Sequence, residues 1–148
     1  MSSLLQRAET SSVVIVDDTE DIRMLVRLTL EARGGFEVVG EADNGRDGVE
    51  VVRRTQPDVV LLDLRMPVMD GLDALPRIIQ ACPTARVIVL SGFEADVMAQ
   101  HALAGGAHGY AQKGAGVADL VAYVVRVLDE PHPPPTPALG IPRQGGRS

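Results

Sequence analysis

Apolar residues fall along this chain in two alternating rhythms. Residues 13–17 hold the β-branched run Val13-Val14-Ile15-Val16 and end in an acid. A continuous apolar run of that length suits a strand buried on both faces. Over 20–33 the period becomes helical, with Ile22, Leu25, Val26, Thr29 and Leu30 on one stripe. Asp18 or Thr19 supplies a cap there, and Gly34-Gly35 a stop. The alternation then repeats, predicting strands at 36–42, 59–63, 87–91 and 108–111. Helices are predicted at 46–54, introduced by Asn44-Gly45 and closed before Pro57, and at 71–81, bent by Pro76. Two more are predicted at 94–104, ended by Gly105-Gly106, and at 117–128. The last has the cleanest stripe: Val117, Leu120, Val121, Val124, Val125 and Leu128.

Five strands alternating with five helices predict an α/β fold, a doubly wound parallel sheet covered on both faces. Residues 1–12 read as a flexible leader and 13–130 as one domain. Residues 131–148, with Pro133-Pro134-Pro135 and a Gly-rich end, read as a disordered tail or linker unable to build a core. In such sheets ligands bind beyond the carboxyl ends of the strands.

Composition narrows the function. A net charge of −6 argues against a nucleic-acid surface and against an anionic membrane as partner. One cysteine, Cys82, rules out an internal disulfide and fits a reducing cytoplasm. The apolar runs are too short to cross a bilayer, and no secretory pattern opens the chain.

The strand ends carry the chemistry. The first strand ends in Asp17-Asp18 and the third in Asp63, and neighbouring strands would bring three carboxylates to one edge. Such a cluster is costly unless a cation sits between its members, and hard oxygen donors suit Mg²⁺ or Mn²⁺. Asp17-Asp18 alone serve equally well as solvated helix-capping acids; proximity to Asp63 favours the site. Ser91 ends the fourth strand with a hydroxyl. Lys113, just after the fifth, is the one lysine in a chain with thirteen arginines, and a compact ammonium acts as a point charge on a single oxygen. A carboxylate nucleophile, a metal and a lysine meet the needs of phosphoryl transfer to Asp. Neither GxxxxGK[ST] nor GxGxxG occurs, so the donor is not a nucleotide held in a glycine loop.

Asp17-Asp18, the segment from Asp63 through Met66-Pro67 to Asp70-Gly71, Ser91-Gly92, and Gly109-Tyr110 through Lys113 together resemble the response-regulator receivers of two-component signalling. The resemblance spans roughly 13–128 and is nearest to receivers joined to helix-turn-helix output domains. It implies a flavodoxin-like (βα)5 sheet ordered 2-1-3-4-5. It makes Asp63 the phosphoacceptor, taking its phosphoryl group from a sensor histidine kinase or phosphotransfer protein. Asp18, Asp63 and the backbone carbonyl of Arg65 would hold the metal, with Asp17 acting through a water. Lys113 would pair with Asp63 and then with the phosphoryl group, Ser91 would bond its oxygens, and Tyr110 would swing inward as the switch. Pro67 and Gly71 match the loop after the acceptor, with Gly71 expected to permit an unusual backbone turn. The sequence departs from the family at Gly114, where many receivers have Pro, and carries large residues, Arg65 and Phe93, beside the site.

In such receivers the signal leaves through the fourth helix, fifth strand and fifth helix. Here the fourth helix carries Val97, Met98, His101, Ala102 and Leu103, more apolar surface than one stripe buries. It is a candidate face for a homodimer or a partner, with a fully packed helix as the alternative. His101, His108 and His132 lack metal-ligand spacing and read as ordinary exposed residues. The competing reading of the whole is the receiver half of a DNA-binding transcriptional regulator. An Asp-nucleophile, metal-dependent phosphatase is weakened by Arg65, where such enzymes place a second acid. A receiver that keeps the fold without phosphorylation is weakened by the complete set of site residues.

Overall fold

Five strands, β1 (Ser11–Val16), β2 (Phe36–Ala42), β3 (Val59–Asp63), β4 (Arg86–Ser91) and β5 (Gly109–Gln112), alternate with five helices. These are α1 (Glu20–Arg33), α2 (Gly45–Thr55), α3 (Gly71–Ala81), α4 (Ala95–Ala104) and α5 (Val117–Asp129). The structure, a computed structural model, describes residues 10–91, 95–112 and 116–129, except the side chains of residues 91, 95 and 96. All strands are parallel, in the order β2-β1-β3-β4-β5. The chain winds outward from β1 to β2, then returns to the other side of β1 for β3. That reversal opens a crevice at the carboxyl ends of β1 and β3.

Strand alternation divides the interior in two. Val14, Val16, Val60, Leu62, Val87 and Val89 face one way and pack under α2, α3 and α4 through Val49, Val52, Ala74, Leu75, Ile78 and Ala102. Val13, Ile15, Val59, Leu61, Ile88 and Leu90 face the other way, under α1 and α5, through Val26, Leu30, Leu120, Val121, Val124 and Val127. The unbroken apolar runs that marked the strands therefore reflect two cores sharing one sheet.

Several expectations are corrected in detail. β1 starts at Ser11, within the stretch read as leader, because Ser11 and Ser12 pair with Phe36 and Glu37. On α1 only Val26 and Leu30 are fully buried; Leu25 is 51% exposed, beside the exposed Met24 and Leu28. Thr19 occupies the N-cap position without a side-chain cap bond. On α5 Val127 is buried, whereas Val125 and Leu128 are only partly so. His108 precedes β5 and is not an ordinary exposed residue: its Nδ1 accepts the Val87 N–H at 3.0 Å, while its own N–H donates to Val87 O at 2.8 Å. His101 is exposed. His132 and the tail expected from residue 131 lie outside the described residues. Among those described, no helix is long and apolar enough to cross a membrane.

Candidate functional site

The reversal of strand order brings the acids together. Val16 of β1 stands in register with Leu62 of β3, so Asp17 and Asp18 emerge beside Asp63. One carboxylate oxygen from each of Asp17, Asp18 and Asp63 lies within 4.8 Å of the others. Asp17 is fully buried and Asp63 is 3% exposed, while Asp18 faces solvent. Three carboxylates at this range repel one another strongly in a partly desolvated crevice. Oxygen-only donors with one side open to water fit a small hard cation that keeps waters and recruits phosphate oxygens, as Mg²⁺ and Mn²⁺ do.

Backbone groups fix the acids. The Thr19 N–H donates to Asp17 Oδ1 at 2.9 Å, and the Arg65 N–H to Asp63 Oδ1 at 3.2 Å. The Asp17 N–H donates to Ala42 O at 3.0 Å, and its carbonyl accepts Arg23 Nη1 at 2.6 Å. The loop after Asp63 is tied at both ends. Leu64 N–H donates to Leu90 O at 3.2 Å, and Gly71 N–H donates to Leu64 O at 3.0 Å. Between them a γ-turn centred on Val68 (φ 68°) is closed by Met69 N–H to Pro67 O at 2.7 Å. Gly45 N–H donates to Met69 O at 2.8 Å, clasping this loop to the start of α2.

Gly71 serves a purpose different from the expected one. Its φ is not positive; instead, a Cβ there would lie 2.3 Å from Asp63 O and 2.7 Å from Leu64 Cα. The helix α3 starts in van der Waals contact with the end of β3 that carries Asp63, and only glycine leaves the space. Asp70 caps that helix by accepting the Asp73 N–H at 3.0 Å.

The remaining predicted residues are placed unequally. Ser91 ends β4, one residue beyond Leu90, the register partner of Asp63, and is itself paired with Gln112 of β5. Its side chain, and Lys113 with Gly92, Phe93 and Gly114, lie outside the described residues. Tyr110 stands on β5 opposite Val89, half-buried and packed against the cluster under α2, α3 and α4. On α4, Val97 is 66% exposed and His101 is exposed, whereas Met98 packs partly against the core. Ala99 and Ala102 are the buried side of this helix.

Sequence reasoning missed two residues beside the acids, Arg23 and Glu41, and saw in Asn44 only the start of a helix. Arg23 and Glu41 form an ion pair at 3.1 Å, and Asn44 is 8% exposed. Asn44 accepts the Asp47 N–H at 2.9 Å and donates to Asp43 and Asp47 carboxylates. The available signals were a basic residue one turn into the helix after an acidic pair, and an Asn-Gly at a strand-to-helix turn.

Comparison with known proteins gives one answer. Residues 13–125 match the family model of the response regulator receiver domain. The response regulator GacA of Pseudomonas viridiflava is 37% identical over 109 residues, 74% of this chain and 51% of that one. The chain thus spans about half the length of this relative. Among solved structures, the receiver domain of the putative response regulator NarL from Mycobacterium tuberculosis superposes with a TM-score of 0.75 at 33% identity, covering 82% of this chain and 98% of that one. A CheX-CheY-BeF3-Mg complex from Borrelia burgdorferi includes a chain with a TM-score of 0.71 at 26% identity, covering 83% and 98%.

Proposed function

Because this chain belongs to the response regulator receiver family of two-component signalling, we propose that it takes a phosphoryl group onto Asp63 in a reaction supported by a divalent metal. The observation that carries this reading is the trio of carboxylates within 4.8 Å, with Asp63 buried at the end of β3. Asp63 Oδ1 accepts the Arg65 N–H, and the carboxylate of Asp63 would serve as the nucleophile. Attack on phosphorus forms the Asp63 acyl phosphate, and the bond to the donor's leaving group breaks with its electron pair. Asp17, Asp18, Asp63 and the Arg65 carbonyl would hold Mg²⁺ or Mn²⁺, which supplies positive charge against the phosphoryl oxygens. Lys113 and the Ser91 hydroxyl would take the remaining oxygens, as point charge and donor.

Receiver domains are signalling domains rather than enzymes with turnover. The donor would be a cytoplasmic sensor histidine kinase or phosphotransfer protein. The added charge would shift an existing equilibrium read out at Tyr110 and on α4, β5 and α5. On that face the exposed Val97 and His101, beside Met98, are the surface offered to a partner or a second copy. A second reading, that the chain is the receiver part of a longer regulator, is favoured by its spanning 51% of the GacA relative; a DNA-binding output domain would be the candidate for the remainder. In that case residues 131–148 would serve as the linker to the output domain.

Intact mass after incubation with acetyl phosphate and Mg²⁺ tests the chemistry. The wild type is expected to gain one phosphoryl group and Asp63→Asn none. An unmodified wild type in the presence of bound metal would overturn the role of Asp63.

A further inference from the structure

The acids at the crevice are not held equally. Asp17 has its N–H on Ala42 O and its Oδ1 on the Thr19 N–H. Asp18 is exposed, and among the described residues its side chain accepts a bond only from the Thr19 hydroxyl, at 3.5 Å. Where the Asp18 carboxylate stands therefore depends on the peptide plane joining Asp17 to Asp18, since that plane is rigid and sets the direction of the next residue.

One side chain grips that plane. Arg23 Nη1 donates to Asp17 O at 2.6 Å, while its Nε pairs with Glu41 Oε1 at 3.1 Å. The guanidinium is a flat fork, so fixing one arm on Glu41 orients the other. Glu41 is fixed in turn: it sits on β2 in register with Ile15 of β1, and Arg27 holds its second oxygen. Arg23 is 16% exposed and Glu41 26%, so neither is a freely solvated surface charge.

We propose that Arg23, aimed by Glu41, is a positioning residue for the metal: it fixes the Asp17–Asp18 peptide and so preorganises Asp18 as a ligand. The inference rests on the receiver reading above. It assigns a task outside the ligand set itself, of the kind that outer hydrogen bonds perform around metal centres. A lysine cannot reproduce it, because one ammonium on a flexible stem does not span the carbonyl and the carboxylate with fixed angles.

Mn²⁺ binding to the full 148-residue chain, followed by electron paramagnetic resonance of the free ion, tests this alongside thermal unfolding. Arg23→Ala is expected to raise the Mn²⁺ Kd about tenfold or more, with Arg23→Lys and Glu41→Gln raising it less. Val127→Ala, buried in α5 away from the crevice, is the control: it is expected to lower the melting temperature and leave Mn²⁺ affinity alone. The inference is overturned if Arg23→Ala binds Mn²⁺ within about twofold of wild type, or if Val127→Ala weakens binding as much. Should Arg23→Ala not fold, wild-type affinity in both Arg23→Lys and Glu41→Gln overturns it equally. Acetyl phosphate labelling of the wild type separates the two failures. Labelling at Asp63 with unaltered Mn²⁺ binding in the variants sinks only the role of Arg23. A wild type that neither binds Mn²⁺ nor takes up the phosphoryl group sinks the receiver reading as well.

Discussion

Gly71 is the residue at which local sterics bear most directly on the site. Backbone atoms of Asp63 and Leu64 occupy the space a side chain would need, and backbone cannot step aside as the end of a flexible side chain can. Gly71→Ala is expected to lower stability by about 1–3 kcal/mol, read by urea unfolding. It should also slow acetyl phosphate labelling, because relief requires moving the strand end that carries Asp63. Unchanged labelling in a folded Gly71→Ala protein would show that the acceptor tolerates such a shift. The sequence marked Gly71 by its place after Asp70, yet gave the wrong reason for it, since close approach across the chain leaves no local trace. The acids themselves were legible because each ends an apolar run. Arg23 was not, because it is marked out only by meeting the Asp17 carbonyl, just beyond β1, and a carboxylate of β2 at once.

At the scale of elements, α1 shows what periodicity reads well and what it misses. Both of its ends agree with the sequence, since Gly34 takes a φ of 87° and closes the helix on Leu30 O. The buried stripe is narrower than predicted: of its five residues Leu25 is 51% exposed and Ile22 and Thr29 are only partly buried, while Met24 and Leu28, off the stripe, stay exposed as expected. A helix packed on the outer half of a sheet meets it along one line, and apolar residues beyond that line stay in water. Leu28→Gln is therefore expected to change stability by no more than about 0.5 kcal/mol. Leu30→Ala, two residues on and fully buried, should cost about 2–5 kcal/mol. Similar losses in both variants, measured by denaturant titration, would mean that α1 packs on a wider face. On α4 the short run of small and large apolar residues carried little phase information, because alanines form its buried side. Strand limits shifted by one or two residues for a related reason: pairing partners, not side-chain polarity, decide where a ladder stops.

For the whole molecule, crowded acids of this kind would tie stability to a bound cation. A cation that binds only the folded chain stabilises it by RT ln(1 + [M]/Kd), about 2.7 kcal/mol at a hundredfold excess over Kd. Melting curves with Mg²⁺ and with chelator should differ for the wild type and coincide for Asp18→Asn. Without metal, the Asp18→Asn protein should be the more stable of the two, because one of three mutually repelling charges is gone. A wild-type curve indifferent to Mg²⁺ would remove the metal from the account. The alternation of elements and the parallel topology were legible from the two hydrophobic periods; the pairing of β1 with β3 came instead from the family resemblance, which implied the observed order 2-1-3-4-5, because periodicity carries nothing about distant segments.

That pairing also sets a timetable. Ser12 and Asp58 meet although they stand 46 positions apart, and α1, β2 and α2 all lie along the chain between Asp17-Asp18 and Asp63. Loop closure of this reach makes parallel pairing a slow event during chain collapse. No contiguous fragment shorter than the span from Asp17 to Asp63 holds all three acids, so an emerging chain would be blind to such an ion until β3 has docked. If docking falls after the rate-limiting barrier, added Mg²⁺ will leave the refolding rate almost untouched and slow escape from the native state. The ion would then act as a late lock on a finished molecule rather than as a template for its assembly.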